Sequence, residues 1–379
     1  MMILLFTFLF SIIHNEKIIE DTYEFGAFRP VPLLQFIDEN EILSTRYNTF
    51  LPYTIIDDDF SNPIDSKKSD RVSISLIKKY NVSRYSTNIK FHDVTLSNFP
   101  VYIYHKHIHY YTDKGIGLGY KFQDEEMSFV HQLYKNRYVD HLMYVFKGDM
   151  TLTKGTTYFG GVPQNEHLKL PYQGHCDVID GYSSWGCNLT SIQLGNDTLT
   201  VNKYSAFHTG FYRIHLPPMI YEFVKKHLEV PLSVNECIEE LNEMKGNNIL
   251  CKSRKYLDME FNFMFEGVTL KMTLNSFFEI NKDDNKYKYK SVMYKNPYPA
   301  INNIELFLGF HFTNLFNYTV FDYENKQVEF YSYVFPIVND RGQSSYKETQ
   351  LLLFTVISVI CSLSIIVIVY NYYRKVNLI

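Results

Sequence analysis

The stretch "YSAFHTGFYRIHLPP", Tyr204–Pro218, decides how the rest of the chain is read. An apolar run ends at a polar residue, His208, followed by Thr209 and Gly210; a second apolar run then ends in a double proline. A strand running into Thr-Gly presents one side chain at a sharp turn, because glycine takes backbone angles that other residues avoid. An aromatic residue, a polar residue and threonine also stand together at "YNTF", around Asn48. Further along each half-chain comes an apolar pair closed by glycine, "GIGLGY" at Gly115–Tyr120 and "LFLGF" at Leu306–Phe310. Two signals in the same order in both halves make an internal repeat. They predict two similar lobes meeting at a cleft.

Around these turns the sequence reads as strand after strand. Tyr (32) and Phe (30) are abundant and Trp is single, which favours strands over helices. "PLLQFI" and "ILSTRY" flank the polar "DENE" as a hairpin leading to Asn48. Period-two alternation continues through "FPVYIYHKHIHYY", "TTYFGG", "LTSIQLG" and "FNFMFEGVTLKMTL". "VFDYENKQVEFY" is a hairpin turning at "ENK". Three helices are predicted: Glu125–Val139, with Met127, Val130, Leu133 and Tyr134 on one face; Pro217–Leu228, opening on proline; and "SVNECIEELNEMK", with Ser233 as N-cap in a capping-box spacing to Glu236. The fold class is therefore all-β with a few short helices.

The ends address a membrane. Met2–Ile13 is apolar and too short to span a bilayer, so it reads as a secretory signal peptide. From Leu351 to Tyr370 no residue is charged, enough to cross a hydrocarbon core of about 30 Å, and Arg374 and Lys375 follow. Positive charge beyond the span puts the tail in the cytosol and the bulk of the chain outside. The expected organisation is a signal peptide over 1–16, lobes over 17–165 and 166–335, a stalk over 336–350, a transmembrane helix over 351–373 and a cytosolic tail over 374–379. The expected location is the secretory pathway, as a single-pass type I protein facing the exterior or an endosomal or lysosomal lumen. Sequons at Asn81, Asn188, Asn196 and Asn317 agree with that topology as glycosylation sites. Cys176 lies near Cys187, and Cys237 near Cys251; two local disulfides suit an oxidising compartment. A net charge of −4 without long charged blocks excludes nucleic acid as a partner.

Over about residues 25–332 the chain resembles the pepsin-like aspartic proteases. The resemblance rests on an ordered series: "DKGIGLGY" (113–120), "FVHQLYKNRYVDHLMYVFKGD" (129–149), "GTTYFGGV" (155–162), "SSWGCNLTSIQLGND" (183–197), "AFHTGFYRIHLPP" (206–218), "CKSRKYLDMEFNFMFEGVTLKMTLNSFF" (251–278) and "ELFLGFHFTNLFNYTVFDYENKQVEFY" (305–331). It implies a bilobal β fold and a peptide or protein ligand in the cleft between the lobes. The family's chemistry needs two Asp-Thr-Gly turns, one per lobe. Two carboxylates held close share a proton, so that one activates water while the other serves the substrate carbonyl.

Carried over residue by residue, the second aspartate position falls on His208, with Thr209 and Gly210 kept. The first falls on Asn48, with Thr49 kept and Phe50 in place of glycine. An amide does not titrate, and an imidazole titrates as a cation. The two catalytic positions are thus degenerate, with Thr49, Thr209 and Gly210 as retained scaffold. The flap region "SISLIKKYNVSRY" has no glycine, and Tyr80 is its candidate flap tyrosine. Phe310 stands where the family has an aspartate after the second Leu-Gly. A second register would put Asp57, in "TIIDDDFSN", in the first catalytic seat; Asp57–Asp59 read better as a solvated loop.

Other constellations carry less. His105, His107 and His109 share one face of "HKHIH", yet no acid or cysteine completes a metal set, and His208 with His215 makes only a pair. No metal and no cofactor is predicted. The sequence predicts a membrane-anchored pseudoprotease whose cleft binds a peptide or protein. A working aspartic endopeptidase and a surface recognition or adhesion module stay open as alternatives.

Overall fold

A computed structural model describes residues 17–26, 29–30, 33–36, 41–44, 47–49, 54–57, 70–71, 82–104, 115–120, 128–148, 154–163, 170–182, 184–241, 246–282, 284, 286–296 and 304–332. All of them lie in one compact unit, Met1–Phe335. The predicted signal peptide, the apolar run from Leu351, Tyr80, Asn81 and the three histidines of "HKHIH" fall outside the described residues. Among the described residues, no helix is long and apolar enough to cross a membrane.

Among the described residues the architecture is mostly β, in five sheets. A six-stranded sheet belongs to the N-terminal half: Glu41–Ser44, Leu33–Phe36, Val82–Phe91, Val94–Tyr104 and Ile55–Asp57 in order, with Asp70–Arg71 paired to Val82–Phe91. A seven-stranded sheet belongs to the C-terminal half: Val268–Thr273, Glu260–Phe265, Gly186–Leu194, Asp197–His208, Leu306–Gly309, Ile214–Leu216 and Met293–Lys295. A four-stranded sheet, Cys237–Glu240, Asn248–Cys251, Tyr289–Ser291 and Phe278–Ile280, also lies in that half. A second seven-stranded sheet draws on both halves, in the order Tyr172–Asp177, Gln327–Tyr331, Tyr318–Asp322, Met143–Lys147, Lys154–Phe159, Ile19–Gly26 and Arg29–Pro30. The fifth sheet is a two-stranded parallel pair, Tyr47–Asn48 with Ile116–Gly117.

The sequence pattern explains the strands. In Val268–Thr273, Val268, Leu270 and Met272 are buried while Thr269 and Lys271 are exposed, the alternation of a sheet with one wet face. The two predicted hairpins form as read: Leu33–Phe36 pairs antiparallel with Glu41–Ser44, and Tyr318–Asp322 with Gln327–Tyr331. Aromatic side chains fill the core. Phe91, Phe129 and Phe159 meet edge-to-face at 5.1–5.7 Å, and Tyr144 stacks on Phe321 at 4.8 Å. Each such ring contributes about 1.5–3 kcal/mol through burial.

Two of the three predicted helices form, one shorter than read. The first spans Phe129–Lys135, capped by Ser128, whose hydroxyl accepts from the His131 amide; Val130 and Leu133 are buried and Tyr134 is exposed. The second spans Pro218–His227 with proline in its first turn and Lys225, Lys226 and His227 in its last, as the helix dipole favours. The third is a correction. Ser233 ends a short helix, Glu229–Ser233, and Cys237–Glu240 is a strand paired with Asn248–Cys251. Cys237 and Cys251 face each other there and are joined by a disulfide, so sheet pairing and the cross-link override local helix propensity.

Candidate functional site

The two Thr turns meet. Tyr47–Asn48 runs parallel to Ile116–Gly117, placing Asn48 opposite Gly117. Ser205–His208 runs parallel to Leu306–Gly309, placing His208 opposite Gly309. In each half a polar residue at the strand end thus sits beside the glycine of its apolar-Gly element. Gly309 is required by space, because a Cβ there would collide with the carbonyl oxygen of Arg213.

Four hydrogen bonds tie one turn to the other, and they are reciprocal. Thr49 Oγ1 donates to the Phe207 carbonyl (2.6 Å) and accepts from the Thr209 amide (3.0 Å). Thr209 Oγ1 donates to the Tyr47 carbonyl (3.0 Å) and accepts from the Thr49 amide (3.2 Å). Both threonines are fully buried. Each bonds to residues on either side of the other turn's polar residue, Tyr47 and Thr49 around Asn48, Phe207 and Thr209 around His208. This lattice defines two seats, one at Asn48 and one at His208.

Asp57 does not occupy the first seat. It ends a strand paired parallel to Tyr102–Tyr104, whereas the residues bonded to Thr209 are Tyr47 and Thr49.

His208 is buried, 2 % exposed. Phe211 stacks on its ring at 3.9 Å and 26°, and Phe307 approaches at 6.1 Å. Phe211 is not among the predicted site residues; the signal that could have marked it is an aromatic residue directly after His-Thr-Gly. His215 follows on the same segment, 5.6 Å from Phe211 ring to ring. Burial, then the neighbouring His208 and Arg213, push the His215 imidazole down to about 4, so it is neutral at ordinary pH.

A carbonyl cluster supports the first seat's partner strand. The Leu118 carbonyl accepts from Trp185 Nε1 (2.6 Å), Tyr144 Oη (3.0 Å) and Tyr323 Oη (3.1 Å). Trp185 is also bonded through its amide to the Thr49 carbonyl and through its own carbonyl to the Phe207 amide.

This arrangement has limited chemistry. An amide cannot share a proton with an imidazole as two carboxylates do. The threonine hydroxyls are no substitute nucleophiles, because each already gives its proton to a buried carbonyl. No group of three or more metal-ligating side chains gathers among the described residues.

The remaining predicted residues are spread over the surface and the sheets. Gly210 is buried beside Thr209. Cys176 is bonded to Cys187, and Cys237 to Cys251. Asn196 is exposed in the turn between Gly186–Leu194 and Asp197–His208, and Asn317 is exposed just before Tyr318–Asp322. Asn188 is half-buried within a strand paired on both sides.

A model of the eukaryotic aspartyl protease family matches residues 80–332, more than half of the chain. The chain belongs to the eukaryotic aspartyl protease family. Among solved structures it is similar to an aspartic proteinase from Irpex lacteus, at TM-score 0.64 and 14% identity over 85% of this chain and 100% of that one. It is also similar to the Basic 7S globulin from soybean, at TM-score 0.60 and 11% identity over 86% of this chain and 100% of that one. At such identities the likeness is one of fold, the pepsin-like one. No curated protein matches the sequence. The family match begins after Asn48, so the first seat is placed by the threonine lattice and the paired glycine, not by the match.

Proposed function

We propose that this aspartyl protease family member is a membrane-anchored pseudoprotease that binds a peptide or protein in its interlobe cleft and does not hydrolyse it. The observation that carries the reading is the reciprocal threonine lattice, kept whole around seats that hold Asn48 and His208. Family geometry retained without the family's acids fits a scaffold used for recognition. The buried, Phe211-stacked imidazole supports it further, because a ring packed against an apolar face is poorly placed to activate water. The apolar ends, the sequons and the two disulfides fit an anchored, outward-facing protein of the secretory pathway.

The binding half of the reading is tested with a random peptide display library panned on the immobilised chain. Enrichment that disappears in His208→Trp, with the fold intact by circular dichroism, supports a cleft ligand. Enrichment that survives His208→Trp moves recognition to another face.

A further inference from the structure

We infer that Asp21, Tyr47 and His92 form an acid-reinforced clamp on the strand that carries Asn48. Asp21 lies on Ile19–Gly26, opposite Thr157 of Lys154–Phe159, and is 4 % exposed. A carboxylate buried so deeply must be paired. Two groups from two other elements do this. Tyr47 Oη donates to Asp21 Oδ2 at 2.6 Å, and His92 Nε2 reaches Asp21 Oδ1 at 2.7 Å. The Tyr47 ring is itself fully buried, against Phe159 (5.6 Å) and Phe146 (6.1 Å). Its carbonyl receives the Thr209 hydroxyl. One carboxylate therefore holds, through one tyrosine, the residue whose backbone locks the two seats together. Asp21 and Tyr47 are positioning residues in this account, since neither is one of the two seat residues.

His92 supplies the pH sensitivity. It sits in the turn between Val82–Phe91 and Val94–Tyr104, with φ +52°, and its side chain is 43% exposed, open to protons at one edge. The groups that face it are Asp21 from the N-terminal strand, Asp93 from its own turn and the edge of Phe91 at 4.6 Å; Tyr47 faces the far side of Asp21. Both charges acting on it are acidic. The hydrogen bond to Asp21 raises its affinity for a proton, against the opposing effect of burial. A folded-state value above the unfolded one means stabilisation that is complete below about pH 6.5 and lost as pH rises through the folded value. The clamp is tightest in acid. It holds whether or not the cleft cleaves peptides, so its failure leaves the pseudoprotease reading standing, and the reverse.

Hydrogen exchange of the full chain, corrected for intrinsic rates, tests it from about pH 5 to about pH 8.5 alongside the melting temperature. Asn tolerates a positive φ and still offers an N–H donor, but it does not titrate, so His92→Asn is the deciding variant. In the wild type, protection of segment 47–49 is expected to fall with rising pH. His92→Asn is expected to lose that pH dependence and to meet the wild type at the alkaline end. Tyr47→Phe keeps the ring and is expected to lower protection of 47–49 at every pH. A His92→Asn profile that follows the wild type, or wild-type protection that is flat with pH, overturns the inference.

Discussion

Thr209→Val removes one half of the lattice without changing side-chain shape, so no cavity term enters. Two hydrogen bonds go: the donation to the Tyr47 carbonyl and the acceptance from the Thr49 amide. The bonds themselves contribute about 1 kcal/mol net each. Leaving a buried carbonyl and a buried amide unsatisfied costs about 1–3 kcal/mol per group. The expected loss is about 2–5 kcal/mol, or a fall in melting temperature of roughly 3–8 °C for a domain of this size. Thr49→Val breaks the mirror pair, to the Phe207 carbonyl and the Thr209 amide, and should cost a similar amount. Thr209→Ser keeps the hydroxyl and is the control, expected to recover most of the loss. Thermal unfolding followed by circular dichroism measures all three. If Thr209→Val unfolds within about a degree of wild type, the lattice does not hold the two turns and the seat assignment loses its footing.

Three further outcomes follow from the same structure. Burial pushes His311 down to about 4, partly offset by its bond to the Ser276 carbonyl, so stability falls as pH drops from about 6.5 through about 4. That window is worth about 3 kcal/mol, and His311→Gln should flatten the acid limb of a melting-temperature profile. Removing the Cys237–Cys251 bridge by a double Ser substitution should cost about 2–3 kcal/mol in urea unfolding, from the loop it closes. Expressed through a eukaryotic secretory pathway, the chain should carry a glycan on Asn196, exposed in its hairpin turn, and none on Asn188; intact mass before and after glycosidase, with Asn196→Gln as control, checks both.

How much was legible beforehand follows from the range of each signal. Strand alternation is local, so Leu33–Phe36, Val268–Thr273 and the Tyr318–Tyr331 hairpin were readable from spacing alone. The recurrence of a Thr turn and an apolar-Gly element in each half was readable too, but not that the two pair, Asn48 opposite Gly117 and His208 opposite Gly309, because that pairing joins segments far apart in the chain. The predicted helix beginning at Ser233 failed because helix propensity is read within one segment, whereas pairing with Asn248–Cys251 and the cross-link act between two. Asp21 was invisible for a similar reason. Its meaning depends on Tyr47 and His92, separated from it by 26 and 71 positions, and nothing near Asp21 in the sequence marks it as buried. Phe211 was in plain view beside the turn, but its stacking on His208 depends on ring orientation, which spacing does not encode.

Seats that hold an amide and an imidazole in place of two acids should not cleave peptide bonds. The direct measurement is hydrolysis of an unfolded protein by the purified chain over roughly pH 3–7, with and without pepstatin, beside the variants Asn48→Ala and His208→Ala. No pepstatin-sensitive cleavage is expected, and the traces from all three proteins should coincide. Pepstatin-sensitive cleavage by the wild type that disappears in His208→Ala would contradict it.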